Sequence, residues 1–160
     1  MKPLPKCMLY PADIFADRSP AIVSTVLGSC VSVCLYDPVL EQGAINHYIL
    51  PNWNGQDEVT MKYGDMSIIR ILEVLLRFGS NLENLKAKVY GGAEVLRGMS
   101  TNFHIGKRNV QLAFEILKEF RIPVVFSDVE GTKGRKITFN TLTGKVQMDY
   151  IKYRTSPADN

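Results

Sequence analysis

Two residue types in this chain are suited to attack a carbonyl or relay a proton, and both are scarce: three cysteines and two histidines. Cys30 follows Leu27-Gly28-Ser29, which reads as a tight bend because Gly tolerates backbone angles that crowd other residues. From Cys30 the chain turns β-branched and alternating, through Val31-Ser32-Val33-Cys34-Leu35-Tyr36-Asp37-Pro38, the signature of a strand. The thiol therefore stands at the mouth of a strand, beside backbone N–H groups that the turn frees. Such N–H groups, here drawn from Gly28, Ser29 and Cys30, can hold a developing oxyanion. His47 lies on the following strand, Ala44 to Leu50, which ends at Pro51. A Cys and a His on consecutive strands are the minimum parts of a thiol nucleophile with its base.

Each of these residues also has a plainer reading. A buried Cys is more often inert packing than a nucleophile. Cys34 sits mid-strand in an apolar run and reads as core, whereas Cys7 has no base near it in sequence. His47 falls between Ile45 and Ile49 on one strand face, as a satisfied core histidine would. His104 lies in a polar loop and reads as solvated. Scattered His and Cys residues do not make a metal site, so no metal is expected. Gly91-Gly92-Ala93 lacks both the Walker Lys-Ser/Thr and the third Rossmann Gly. It reads as a tight backbone turn lining the pocket, and no cofactor is expected.

The elements that must position these groups follow from patterning. A chain of 160 residues, 46% hydrophobic and 22% charged, suits one folded domain. The net charge of +3 comes without a Lys/Arg block, so no nucleic-acid partner is expected. Neither a signal run nor an apolar stretch of bilayer length is visible, and the cysteines have no paired spacing. The expected compartment is the reducing cytoplasm, without membrane insertion.

Residues 1–11, broken by Pro3, Pro5 and Pro11, read as an irregular lead-in, and 154–160 as a mobile tail. Ala21–Leu27 is a first strand. A type I turn from Asp37 to Leu40 would pair positions whose numbers sum to 77, placing Cys30 directly opposite His47. Asp65 reads as the N-cap of a helix carrying Met66, Ile69, Leu72, Leu75 and Leu76 and stopping at Gly79. A strand over Leu85–Tyr90, a helix through Val110–Phe120, a strand over Val124–Asp128 and a terminal hairpin from Arg135 to Tyr153 complete the chain. This order favours a single α+β domain over a doubly wound sheet.

From about Ile22 to Val146 the chain resembles the CheD family of chemoreceptor glutamine deamidases. The resemblance is carried by Leu27-Gly28-Ser29-Cys30-Val31, by Cys34-Leu35-Tyr36-Asp37-Pro38 and by His47-Tyr48-Ile49-Leu50-Pro51. Lys62-Tyr63-Gly64-Asp65, Gly91-Gly92-Ala93, Ile105-Gly106-Lys107-Arg108-Asn109, Asp128, Gly131 and Arg135 are further landmarks. Glu130 stands where a second Gly is common. The resemblance implies packed mixed β-sheets, sandwich-like and flanked by helices. It also implies a cysteine hydrolase that converts glutamines of chemotaxis receptors to glutamates, with Cys30 as nucleophile and His47 as base. The third member, a Thr in some relatives, maps without gaps onto Ser24, with the adjacent Thr25 as the alternative. The family binds a CheC-type phosphatase, so the resemblance implies that partner too, and a purely regulatory binding role is the second reading. For the chemistry, His47 is expected to raise the thiolate fraction of Cys30 at neutral pH.

Overall fold

The computed structural model describes residues 2–95 and 104–152. Two β-sheets and two helices stack as three layers. The four-stranded sheet runs in the order β1 (Lys6–Met8), β3 (Ile22–Leu27), β8 (Arg135–Asn140), β9 (Val146–Tyr150). The five-stranded sheet runs β2 (Ile14–Ala16), β5 (Gln42–Asn46), β4 (Val31–Asp37), β6 (Lys86–Gly91), β7 (Val124–Val129). Pairings are antiparallel except β1 with β3 and β6 with β7, so both sheets are mixed. The expected α+β domain of packed, mixed sheets flanked by helices is what forms.

The patterns explain the layers. β3 alternates, with Val23, Thr25 and Leu27 buried, so its inner face meets the five-stranded sheet. Between the sheets, Leu9, Val23, Leu27, Cys34, Ile45, Tyr90, Ile137 and Phe139 form one core cluster. β4 is a continuous buried run because its other face is covered as well. There Val31, Val33, Leu35, Ala44, Tyr48 and Val89 meet α1 (Gly64–Arg77) and α2 (Ile105–Glu119) in a second cluster. In α1 the residues Ile68, Ile71, Leu72 and Leu75 recur at helical spacing and form its buried stripe, whereas Met66 and Ile69 of the expected stripe are half-buried and Leu76 is exposed.

Four expectations change. The lead-in contains β1, which lies parallel to β3 with Cys7 opposite Val23, and β2 follows shortly after; neither carries a sequence signal because both are three-residue edge strands. α1 starts one residue before Asp65, with Tyr63 at its cap position. The Asp65 carboxylate accepts instead from the N–H of Trp53 (3.0 Å) and of Met66 (2.8 Å), fastening the preceding loop to the helix start. The β4–β5 loop is longer than a two-residue turn: Asp37 pairs with Gln42, and Glu41 adopts a left-handed backbone (φ 53°). Asp37 Oδ1 caps this loop by accepting from Val39 and Leu40 N–H at 2.8 and 3.1 Å. Finally, β5 stops at Asn46 rather than Leu50. The expected tail, 154–160, lies outside the described residues.

Candidate active site

The longer loop resets the hairpin register. Paired positions sum to 79, as in Cys34–Ile45 and Val31–Tyr48, so Cys30 is not directly opposite His47 as the shorter turn required. The position facing His47 is Ser32, and Cys30, two residues on, lies on the same sheet face as its diagonal neighbour. That face looks into the space between the sheets, where Cys34 and Ile45 are packed.

His47 occupies a break in the ladder. Just before it, the Asn46 side chain takes over the role of its own carbonyl, with Oδ1 accepting from Val33 N–H at 2.7 Å. The His47 backbone is held from the other side: its N–H donates to the Asp13 carbonyl (3.1 Å) and its carbonyl accepts from Ala12 N–H (2.8 Å). The ring is buried, 1% exposed. Its Nδ1 lies 2.7 Å from Thr25 Oγ1, and the same hydroxyl is 2.7 Å from the Leu9 carbonyl. A carbonyl only accepts, so the Thr25 hydroxyl donates to Leu9 and accepts the Nδ1–H proton of His47. The tautomer is thereby fixed with the proton on Nδ1 and a lone pair on Nε2. Nε2 is buried and has no partner among the described residues.

This arrangement reverses the preference between the two hydroxyls. Ser24, favoured by ungapped spacing, points to the opposite face of β3, where its Oγ lies 3.0 Å from Thr138 Oγ1 across the strand pair. β3 is regular here, so no bulge is needed: Thr25 is the inward-facing member.

Around Cys30 the bend is held through its carbonyls. Gly28 C=O accepts from Ala93 N–H (3.0 Å), Ser29 C=O from Asn109 Nδ2 (3.0 Å), and Cys30 C=O from Gly92 N–H (2.9 Å). Gly28 itself keeps an ordinary backbone angle, so the left-handed freedom expected of it is not used. That freedom is needed at Gly91 (φ 109°), where a Cβ would stand 2.2 Å from the Cys30 carbonyl oxygen. The Gly91-Gly92-Ala93 turn thus packs directly behind the cysteine bend. Among the described residues, the N–H groups of Gly28, Ser29 and Cys30 make no hydrogen bond to a backbone carbonyl or to another residue's side chain.

The electrostatics of the pair run against a preformed ion pair. Burial pushes the Cys30 thiol up, and its own backbone N–H offsets this only in part. Burial pulls His47 down to about 4, against a weaker opposing pull from Asp13. Both shifts favour the neutral forms, so burial works against the expected rise in the Cys30 thiolate fraction. Cys34 is fully buried and its thiol is pushed far up, as a core residue's should be. Cys7 is exposed on β1. His104 stands before α2 in a left-handed conformation (φ 57°), with Nδ1 2.8 Å from the Glu94 carboxylate, so it is exposed but paired. No group of three or more metal-ligating side chains occurs among the described residues.

Residues of the CheD chemotactic sensory transduction family match positions 49–150, nearly two-thirds of the chain. The chain belongs to the CheD family. CheD relatives extend the similarity back across Cys30 and His47. A protein of Trichlorobacter lovleyi, named a probable chemoreceptor glutamine deamidase CheD, is 46% identical over 144 residues, covering 90% of this chain and 89% of the relative. Proteins with corresponding names from Sulfurimonas denitrificans and Anaeromyxobacter dehalogenans are 37% and 40% identical, over 92% and 85% of this chain. The further CheD landmarks serve as supports. Arg135, almost fully buried, donates to Asp128 (2.8 Å) and to the Glu130 carbonyl (2.8 Å), bracing the 128–131 loop. Glu130 and Gly131 both have positive φ (65° and 76°), a conformation that Gly adopts freely and that costs Glu130 backbone strain. No helix among the described residues is long and apolar enough to cross a membrane.

Sequence reasoning missed two contributors, Leu9, which fixes the Thr25 hydroxyl, and the Ala12–Asp13 segment, which holds the His47 backbone, and it named Asn109 only as a landmark, without a role. Only Asn109 carried a signal, as a polar residue at a buried-face position of an amphipathic helix.

Proposed function

We propose that this chain is a cysteine-dependent protein-glutamine deamidase acting on chemoreceptors. The observation that carries the reading is the Leu9–Thr25–His47 chain of hydrogen bonds, which leaves a lone pair on Nε2 on the face that Cys30 shares. The names of the relatives supply the substrate class. From a neutral pair, Nε2 takes the Cys30 proton as Sγ attacks the glutamine carboxamide carbon. The oxyanion is held by the N–H of Cys30 and of Ser29. As the tetrahedral intermediate collapses, the C–N bond breaks and the imidazolium gives its proton to the departing ammonia, leaving a thioester. Neutral His47 then activates a water, whose attack releases glutamate and restores the thiol. Thr25, in place of Ser24, is the third member, holding the Nδ1–H tautomer through both steps. A CheC-type phosphatase is the partner that would compete with receptor at the same entrance.

The test is ammonia release from a glutamine-bearing receptor fragment, with mass spectrometry of the product. Wild-type protein should add about 1 Da per modified glutamine, the mass difference between an amide and an acid. Cys30→Ala should abolish the change while still binding the fragment. Deamidation at wild-type rate by Cys30→Ala would remove the mechanism.

A further inference from the structure

In a trans peptide the carbonyl of one residue and the N–H of the next point in opposite directions. Whatever holds the Ser29 carbonyl therefore fixes where the Cys30 N–H is aimed. Among the described residues that carbonyl has one hydrogen-bond donor, the Asn109 side-chain amide at 3.0 Å. The same NH2 donates its second hydrogen to the Ile49 carbonyl at 2.9 Å, two residues beyond His47. Asn109 is fully buried in the first turns of α2, and its backbone carbonyl accepts the Tyr48 hydroxyl. The residue thus sits where the cysteine bend, the end of the histidine-bearing segment and the helix layer meet, and it makes no hydrogen bond to the Cys30 or His47 side chain.

We propose that Asn109 is the positioning residue of the oxyanion hole: it locks the Ser29–Cys30 peptide plane so that the Cys30 N–H faces the developing oxyanion, and it ties that plane to the segment carrying His47. This rests on the deamidase reading above. The inference separates two reactions of one sulfur. Deamidation passes through an oxyanion and needs the aimed N–H. Alkylation by iodoacetamide displaces iodide at a tetrahedral carbon, forms no oxyanion, and needs only the thiolate.

The experiment uses Asn109→Leu, which keeps much of the volume and removes both donors, and Asn109→Ser, which keeps one. Folding is followed by circular dichroism, ammonia release by kinetics on a receptor fragment, and Cys30 alkylation by site-resolved mass spectrometry. Asn109→Leu should lose roughly 100-fold or more in kcat, the cost of one oxyanion donor, with KM unchanged and the Cys30 alkylation rate falling far less than kcat, since it loses only the partial thiolate stabilisation that the same N–H supplies. Asn109→Ser should recover part of the loss. Undiminished kcat, a parallel fall of kcat and alkylation, or loss of fold in both variants would overturn the positioning role while leaving the deamidase reading intact. A folded wild-type protein with an alkylatable Cys30 and no ammonia release would overturn the deamidase reading, and this inference with it.

Discussion

Acidification should destabilise this protein through one buried ring. His47 titrates at about 4 when folded and near 6.5 when unfolded, because burial disfavours the imidazolium. Between these values the unfolded chain binds a proton that the folded chain refuses, so stability falls as pH falls. The contribution is complete above about pH 6.5 and lost as pH descends toward 4. A separation of about 2.5 units at 1.36 kcal/mol each gives a limit near 3 kcal/mol, of which about 2 kcal/mol is already lost at pH 5. That is a large share of a typical domain's 5–15 kcal/mol. Carboxylates titrate over the same range, so the informative quantity is a difference. Urea unfolding of wild type and His47→Gln at pH 7, 6, 5 and 4 isolates the ring. The variant lacks the Thr25 hydrogen bond and should be the less stable protein at pH 7. The gap should then narrow by about 3 kcal/mol on going to pH 4. Parallel stability curves, with a constant gap, would refute both the burial argument and the neutral resting pair built on it.

Thr25→Val keeps the shape, strips the acceptor from Nδ1 and should lower kcat roughly 10–100-fold, part of a general base's contribution, whereas Ser24→Ala should leave turnover unchanged in the same ammonia assay. Because burial raises the Cys30 thiol, its alkylation by iodoacetamide, followed site by site, should keep climbing past the ordinary thiol range; a plateau below pH 7 would mean a preformed ion pair. Cys34→Ala should cost about 1–2 kcal/mol in thermal or urea unfolding through lost packing between the sheets, with ammonia release unaffected.

The sequence revealed the site's chemistry more readily than its geometry. Cys30 and His47 stood out because each residue type is rare and each sits beside a recognisable strand. The layers were legible for the same local reason: β4 is a β-branched, apolar run and β8 alternates, while the apolar residues of α1 announce a helix but leave open whether Ile68 and Ile71 or Met66 and Ile69 face the core. Register was not local. Whether the Asp37 turn closes after two residues or four depends on Glu41 accepting a left-handed backbone, which nothing in its side chain announces. The Ser24–Thr25 ambiguity has a related origin. β3 carries apolar residues on both faces, Val23 and Leu27 inward and Ile22 and Val26 outward, so alternation alone does not say which hydroxyl is inside. The contributions of Leu9, Ala12 and Asp13 were invisible because they are made by backbone groups, whose partners no side chain encodes.

The hydrogen bond between Thr25 and His47 joins the two sheets: one partner belongs to the four-stranded sheet and the other follows β5 of the five-stranded sheet. Thr25 reaches its place only when β3 has paired with β8, more than a hundred residues away in sequence, so this contact should form late. During synthesis and refolding the chain therefore carries a thiol at the end of a local hairpin before the imidazole that would activate it has been oriented. On the proposed mechanism, competence should arrive with the closing of the sandwich. Recovery of turnover during refolding consequently times the docking of the two sheets, an event that far-ultraviolet dichroism, sensitive to each sheet separately, does not isolate.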